Sequence, residues 1–321
     1  MIDRTHCPVC GAANSRPVQT ALYDDRYGYP GTFSLLQCAA CGHRWLDADF
    51  SPAELQALYT NFYPRSTRSV DQWRPQVELG AVRTWLARAK SATYRWVPRA
   101  VKVLDVGCGF GESLGYHQAR GCEVWGVEAD ENIRRVAERF GFNVKVGVFS
   151  AADFSRDYFD FVTLDQVIEH AADPVALLRD AATVLRPGGT VLLSTPNGRS
   201  LTAGLLGRRW VHWHSPYHLQ LFSRQSLIAA AQAAGLRVRW CRNLTNPRWY
   251  HFQWLHLLSR PAPGVPSAFW AAGRPWSRRQ WLARKSLSGL DRLGLNHVVA
   301  FLLDGIGRGD NLVAALERTR E

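Results

Sequence analysis

The spacing of apolar and polar residues changes along the chain, and each change marks a different kind of element. Before residue 60 the apolar runs are short. TFSLLQ (32–37) and RWLD (44–47) read as strands. Ser51-Pro52-Ala53-Glu54 reads as a capping box with proline in the first helical turn. It predicts a short helix through Leu55, Leu58 and Tyr59 that closes at Pro64. A longer helix is expected over 76–95. From Val101 onward, strand-like runs at 101–106, 122–128, 143–148, 159–164, 190–194 and 236–242 alternate with helical stretches. One of those helices is expected over 223–235, and a last strand over 308–316. This alternation predicts an α/β architecture, a mostly parallel doubly wound sheet.

Residues 244–306 form an insertion before the last strand, and Pro261, Pro263 and Pro266 divide it in two. In the first half Trp249, Phe252, Leu255 and Leu258 recur at helical spacing. In the second, over 276–293, Leu282, Ala283, Leu287, Leu290 and Leu293 share one face, with Arg278, Arg284, Lys285 and Arg292 outside it. That face is expected to pack on this chain or on a second copy, with an anionic membrane surface as the competing partner.

Chemistry enters first at the cysteines. Cys7 and Cys10, then Cys38 and Cys41, form two C-x2-C pairs separated by 27 residues. A two-residue gap lets both thiolates of a pair face one ion, and Gly11 and Gly42 supply the backbone freedom the turns need. A thioredoxin-type motif would need one pair at a strand–helix junction, not two matched pairs. Four thiolates complete a tetrahedral Zn²⁺ site with no open position, so the ion is expected to be structural. Cys108, Cys122 and Cys241 are scattered and read as small buried hydrophobes.

The run 101–106 carries Asp105 near its end and leads into Gly107, Gly109 and Gly111. A dinucleotide fingerprint requires G-x-G-x-x-G, but here Glu112 follows G-x-G-x-G and would repel a pyrophosphate. The next strand-like run ends in Glu128, where a carboxylate can accept both hydroxyls of a ribose. A glycine floor flanked by acids suits a neutral adenosine with a cationic amino-acid tail.

LDVGCGFG (104–111), Glu128 and LRPGG (185–189), in this order, resemble the class I S-adenosylmethionine-dependent methyltransferases. The resemblance spans about residues 100–243 and the last strand. It implies a seven-stranded sheet with the cofactor at the carboxyl ends of its first strands. It places Asp105 under the methionine amino group, Gly107, Gly109 and Gly111 beneath the cofactor, and Glu128 on the ribose. Val148 and Phe149 would flank the adenine, and Asp165 and Gln166 would line the methionine end. The cysteine unit followed by SPAELQALYTNFYP also resembles the zinc-knuckle methyltransferases of bacterial polysaccharide and sugar-modification clusters. The chain is thus expected to divide into a zinc-ribbon unit (1–64), a helical linker (65–100), a cofactor-binding domain (101–243 with 307–317) and a basic, tryptophan-rich helical insertion (244–306).

Methyl transfer to an alcohol needs the nucleophile held in line and a base for its proton. DQVIEH (165–170) ends in His170, and WVHWHSPYHLQLFS (210–223) carries His212, His214 and His218 where a loop would overhang the cofactor. His218 and His170 are the candidate bases. QVIEH also resembles the E-x-x-E-H metal motif of ubiquinone-pathway and small-RNA methyltransferases, with Gln166 in place of its first Glu. A neutral amide is a poor ligand for a hard cation, which argues against a catalytic Mg²⁺ and leaves Glu169 and His170 as its candidates.

Composition then bears on the acceptor. The 321 residues carry 39 Lys+Arg against 27 Asp+Glu, a net charge of +12, and 46% hydrophobic residues exclude a disordered chain. Residues 101–200 sum to −4, whereas 201–321 hold +12 and eight of the 13 Trp. Arginine-rich surface outside an acidic cofactor domain predicts an anionic acceptor. A hydroxyl on a nucleotide sugar or cell-surface glycan is the favoured acceptor. Nucleic acid (rRNA or tRNA) comes second, beside a quinone-type small molecule, and a zinc-stabilised adaptor without activity is the non-enzyme alternative. No secretory pattern opens the chain, and apolar runs such as 298–303 fall short of the roughly 20 residues a span needs. A cytoplasmic protein is expected, with contact at the inner face of the membrane as a variant.

Overall fold

The computed structural model describes residues 6–48, 50–63, 69–271 and 275–318. Near the N-terminus β1 (Ser15–Leu22), β2 (Phe33–Cys38) and β3 (Arg44–Asp47) form an antiparallel meander with Leu36 opposite Trp45. In α1 (Pro52–Asn61) the Ser51 hydroxyl accepts from the Glu54 N–H and the Glu54 carboxylate accepts from the Ser51 N–H, the expected capping box. The helix is capped at Phe62, and the expected end at Pro64 lies outside the described residues.

The helix expected over 76–95 does not form in one piece. α2 covers only Ala81–Leu86, and Arg88 takes a left-handed backbone (φ 47°) ahead of two 3₁₀ turns, Ala89–Ser91 and Thr93–Trp96. Gly80 offers no capping side chain, and Val82, Trp85 and Leu86 stay exposed. Neither capping nor burial supports a longer helix there.

The alternation beyond residue 100 builds the main sheet. In order it contains β4 (Lys102–Val106), α3 (Glu112–Gln118), β5 (Glu123–Glu128), α4 (Ile133–Phe140), β6 (Asn143–Val146) and β7 (Phe159–Asp165). There follow α5 (Pro174–Val184), β8 (Leu185–Pro196), α6 (Leu201–Leu206), β9 (Gln220–Leu221), α7 (Arg224–Ala233) and β10 (Leu236–Asn243). The insertion supplies α8 (Arg248–Leu258), α9 (Arg278–Arg292) and α10 (Leu295–Gly305), and β11 (Asn311–Arg318) closes the fold.

Seven strands pair in the order β10-β11-β8-β7-β4-β5-β6. All are parallel except β11, which runs antiparallel to both neighbours. The expected α/β methyltransferase fold is present. Its central strands read as continuous apolar runs because both faces are covered: Val103, Leu104, Val162, Leu164, Val191 and Leu193 are all buried. Strand order reverses at β4, which has β5 on one side and β7 on the other. A reversal of this kind opens a crevice at the carboxyl ends of the strands.

β9 lies outside this sheet. Its Gln220 and Leu221 pair with Trp45 and Arg44 of β3, completing a four-stranded antiparallel sheet at the N-terminus. The segment expected to overhang the cofactor is therefore stitched to the cysteine unit.

Among the described residues the insertion holds three helices, not two, because the apolar run at 298–303 forms part of α10. α8 buries the expected Leu255 and, beside it, three positions its apolar spacing does not predict: Tyr250, Gln253 and His256. Gln253 and His256 find polar partners. Gln253 accepts from the Val211 N–H (2.7 Å) and donates to the Arg209 carbonyl (2.9 Å), and His256 Nε2 lies 3.2 Å from Asp25. Among the described residues no helix is long and apolar enough to cross a membrane.

Candidate active site

The chain leaves β4 through Gly107, Gly109 and Gly111, all with positive φ (72°, 58° and 79°), and enters α3. At Gly107 an added Cβ would lie 2.5 Å from Val167 Cγ2, so that position admits no side chain. At the end of β5 the Glu128 carboxylate is fixed by two backbone N–H groups, Gly109 to Oε2 and Asp130 to Oε1, each at 2.8 Å. After β6 the chain presents Val148, 85% exposed, and Phe149, 8% exposed. Gly107, Gly109, Glu128, Val148, Phe149, Gln166 and His170 together line a cleft of about 620 Å³ at the carboxyl ends of β4 to β7. Small-molecule sites typically fall between about 300 and 1,000 Å³.

Four of the expected site residues do not line this cleft. Gly111 caps α3, and an added Cβ there would lie 3.3 Å from Ile133. Asp105 is buried, accepts from Thr163 Oγ1 (2.5 Å) and from Ser113 Oγ, and is pushed up to about 6 by that burial. Asp165 accepts from Ser194 Oγ and is likewise pushed up to about 6. Burial also raises Glu128. When ionised, the three carboxyls give this end of the sheet a negative potential that suits a cation.

His218, the fourth, sits behind His170, with ring centroids 4.8 Å apart. His170 Nδ1 lies 3.0 Å from the Tyr217 carbonyl and 3.3 Å from the Tyr59 hydroxyl. His218 Nδ1 lies 2.8 Å from the His212 carbonyl. A carbonyl can only accept, so each Nδ1 carries the proton and each Nε2 keeps its lone pair. Burial lowers His170 to about 4 and takes His218 well below its ordinary value, so both rings are neutral at pH 7.

Glu169 is fully buried and pushed up to about 8 by that burial. Its Oε2 accepts from Thr195 Oγ1 (3.0 Å), and its Oε1 has no partner among the described residues. Glu169, His170 and His218 each bring one ligand atom within 4.8 Å of the others. Gln166 does not join them, because its amide donates to Ser194 Oγ and Asn311 Oδ1, each at 2.9 Å.

Sequence reasoning missed Tyr59 and Tyr63, which line the cleft from α1 and the residues just after it. They lie four positions apart, one helical face, and that spacing was the available signal.

At the N-terminus the four cysteine sulfurs lie within 4.8 Å of one another, with Cys7–Cys41 and Cys10–Cys38 at 3.6 Å. A tetrahedron with Zn–S near 2.3 Å has edges of roughly 3.8 Å. Gly11 and Gly42 take left-handed backbone (φ 72° and 70°) after each second cysteine.

The methyltransferase-domain family model matches residues 68–239, more than half of the chain. The chain belongs to that family. It is a class I methyltransferase that uses S-adenosylmethionine. A ubiquinone biosynthesis O-methyltransferase from Xanthomonas axonopodis pv. citri is similar to it, 28% identical over 66% of this chain and 83% of the relative. One from Pseudomonas fluorescens is 31% identical over 47% of this chain and 72% of the relative. Among solved structures, a methyltransferase from Archaeoglobus fulgidus gives a TM-score of 0.43 at 17% identity, covering 83% of this chain and 100% of that one.

These relatives overturn the expected acceptor. They carry the name of ubiquinone biosynthesis, not of sugars or glycans, and the expected anionic sugar or glycan partner is corrected accordingly. Nucleic acid, the second choice, falls with it. The cleft agrees: among the described residues no Lys or Arg of the last third lines it, so the arginine surplus there does not describe this methyltransferase's acceptor site.

Proposed function

We propose that this methyltransferase O-methylates a hydroxyl of a small, quinone-type molecule. The observation that carries the reading is His170, a neutral imidazole on the cleft wall whose Nδ1–H is held by a carbonyl and whose Nε2 is left to take a proton. The names of the relatives support the same chemistry. A lone pair of the acceptor oxygen attacks the methyl carbon as its bond to sulfur breaks. The sulfur keeps that electron pair and the hydroxyl proton passes to His170 Nε2. The products are a methyl ether and S-adenosylhomocysteine.

Cofactor roles follow the cleft. Gly107 and Gly109 let the cofactor approach the backbone, and Gly111 keeps the turn into α3 clear of Ile133. Glu128 accepts the ribose hydroxyls, Val148 and Phe149 flank the adenine, and Gln166 meets the methionine end. Asp105 and Asp165 act on the ammonium and sulfonium through their field. His218 backs His170 and is the second candidate base. Cys7, Cys10, Cys38 and Cys41 hold one structural Zn²⁺, a reading supported by sulfur spacings close to a tetrahedral edge. Mg²⁺ does not fit Glu169, His170 and His218, since one carboxylate and two imidazoles are not the oxygen set it demands. No step is derived through it.

The test is methyl transfer to a panel of phenols and catechols, followed by the mass of the product and by NMR of the new methyl group. An O-methyl signal that depends on His170 is expected. A methyl group delivered to carbon or nitrogen, or no transfer to any hydroxyl, would sink the reading.

A further inference from the structure

The loop joining β1 to β2, residues 23–32, is built more firmly over 23–29 than a hairpin requires. The buried Asp24 accepts the backbone N–H groups of Arg26 and Tyr27 at Oδ1 and of Tyr29 at Oδ2, each at 2.9 Å. The loop is also tied to distant parts of the chain. Tyr23 donates to the Pro261 carbonyl (2.7 Å), Arg26 Nη2 to the Val211 carbonyl (2.6 Å), and the Ser267 N–H to the Arg26 carbonyl (2.9 Å). Asp25 meets His256 and Arg260 at 3.2 and 3.3 Å. At Gly28 an added Cβ would lie 2.9 Å from Pro266. The loop is thereby clamped between the histidine segment and the insertion.

What the clamp holds in place is Tyr27. Its ring packs edge-on against Tyr63 (5.6 Å), Tyr217 (5.6 Å) and His214 (5.8 Å). Tyr63 in turn packs on Tyr59 (5.5 Å), and Tyr59 shares the Nδ1–H of His170. Tyr59, Tyr63 and His170 all line the cleft, whereas Tyr27 does not. A ribbon that only stabilised itself would not need contacts 185 to 241 residues away in sequence.

We propose that Tyr59 and Tyr63 form the acceptor-selecting wall of this enzyme, and that the N-terminal loop serves as its positioning device through Tyr27. The proposal rests on the O-methylation reading above. Aromatic faces beside the base select a flat ring over a puckered one of the same size, because only a flat ring can lie against them along its whole face. Among the described residues no Lys or Arg lines the cleft, so the aromatic wall recognises the ring by its shape.

The experiment compares catechol with trans-cyclohexane-1,2-diol on the full-length protein. Binding of each to the S-adenosylhomocysteine complex is followed by NMR, KM and kcat are measured for catechol, and S-adenosylmethionine affinity is measured by calorimetry. Tyr27→Ala and Tyr63→Leu should raise the catechol KM at least tenfold while changing cofactor affinity less than twofold, and Tyr27→Phe should restore it. Tyr63→Leu keeps bulk without a planar face, so it answers the question even if Tyr27→Ala fails to fold. If wild type methylates phenols and the variants keep its KM, the wall is overturned and O-methylation stands. If wild type methylates no hydroxyl, that reading falls and ring binding alone decides the wall. Catechol binding lost in Tyr63→Leu then upholds it. No binding, or equal binding of the two diols, overturns it.

Discussion

Replacing Glu128 by alanine probes the cofactor end of the cleft most directly. Both carboxylate oxygens are already engaged, one by the Gly109 N–H and one by the Asp130 N–H, each at 2.8 Å. Each oxygen keeps a second lone pair, so two ribose hydroxyls can be accepted without rearrangement. Hydrogen bonds to a charged group contribute about 1.5–3 kcal/mol each, so two contribute roughly 3–6 kcal/mol. At about 1.4 kcal/mol per tenfold, Glu128→Ala should weaken S-adenosylmethionine roughly a hundred- to ten-thousandfold. The fold should survive, because the Gly109 N–H faces a cleft that water enters. Calorimetry with S-adenosylmethionine and S-adenosylhomocysteine in parallel separates contact from charge. Both ligands carry the same adenosine, so a ribose contact weakens them by the same factor. A purely Coulombic role weakens the sulfonium far more. Unchanged affinity for both refutes the ribose assignment, and loss confined to the sulfonium replaces it with an electrostatic one.

Asp105, pushed up to about 6, is ionised above that pH and neutral below it, so its attraction for the cationic cofactor is lost as pH falls. Affinity should drop at least about tenfold between pH 7.5 and 5, and Asp105→Asn should make the profile shallower, with Asp165 supplying what remains; a wild-type profile that is already flat excludes this role. His170→Ala should lower kcat by roughly a hundred- to ten-thousandfold with cofactor affinity intact. Normal turnover in that variant would move the base to His218. Elemental analysis should find one zinc per chain, and Cys38→Ser should lose it and lower the melting temperature. A wild type without zinc removes the knuckle assignment.

The main sheet was legible because its strands are buried on both faces and read as unbroken apolar runs, Val103–Leu104 and Val191–Leu192–Leu193 among them. The glycine turn and Glu128 were legible because their geometry is local, within a few residues of a strand end. What escaped was set by distant partners. The inward face of α8 is polar at Gln253 and His256 because Val211 and Asp25 meet it there, and no spacing rule within the helix contains those residues. Tyr59 read as an ordinary helix position because its place beside His170 depends on how α1 docks. The helix over 76–95 failed at Arg88, whose guanidinium is held by the Thr245 carbonyl and by Asp304 far along the chain. Net charge misled about the acceptor because it sums the surface, while among the described residues no Lys or Arg lines the cleft.

The pairing of β3 with β9 also constrains how this chain is made. Trp45 and Gln220 are partners 175 residues apart. At synthesis rates of roughly 5–20 residues per second, the cysteine turns leave the ribosome about 10–35 seconds before their last strand does. Throughout that interval β3 carries an open edge, the kind that recruits stray strands. An ion seated early between the two knuckles would hold the meander in register while it waits. The same delay means that a nascent chain stalled anywhere between β3 and β9 carries an N-terminal sheet without its last strand.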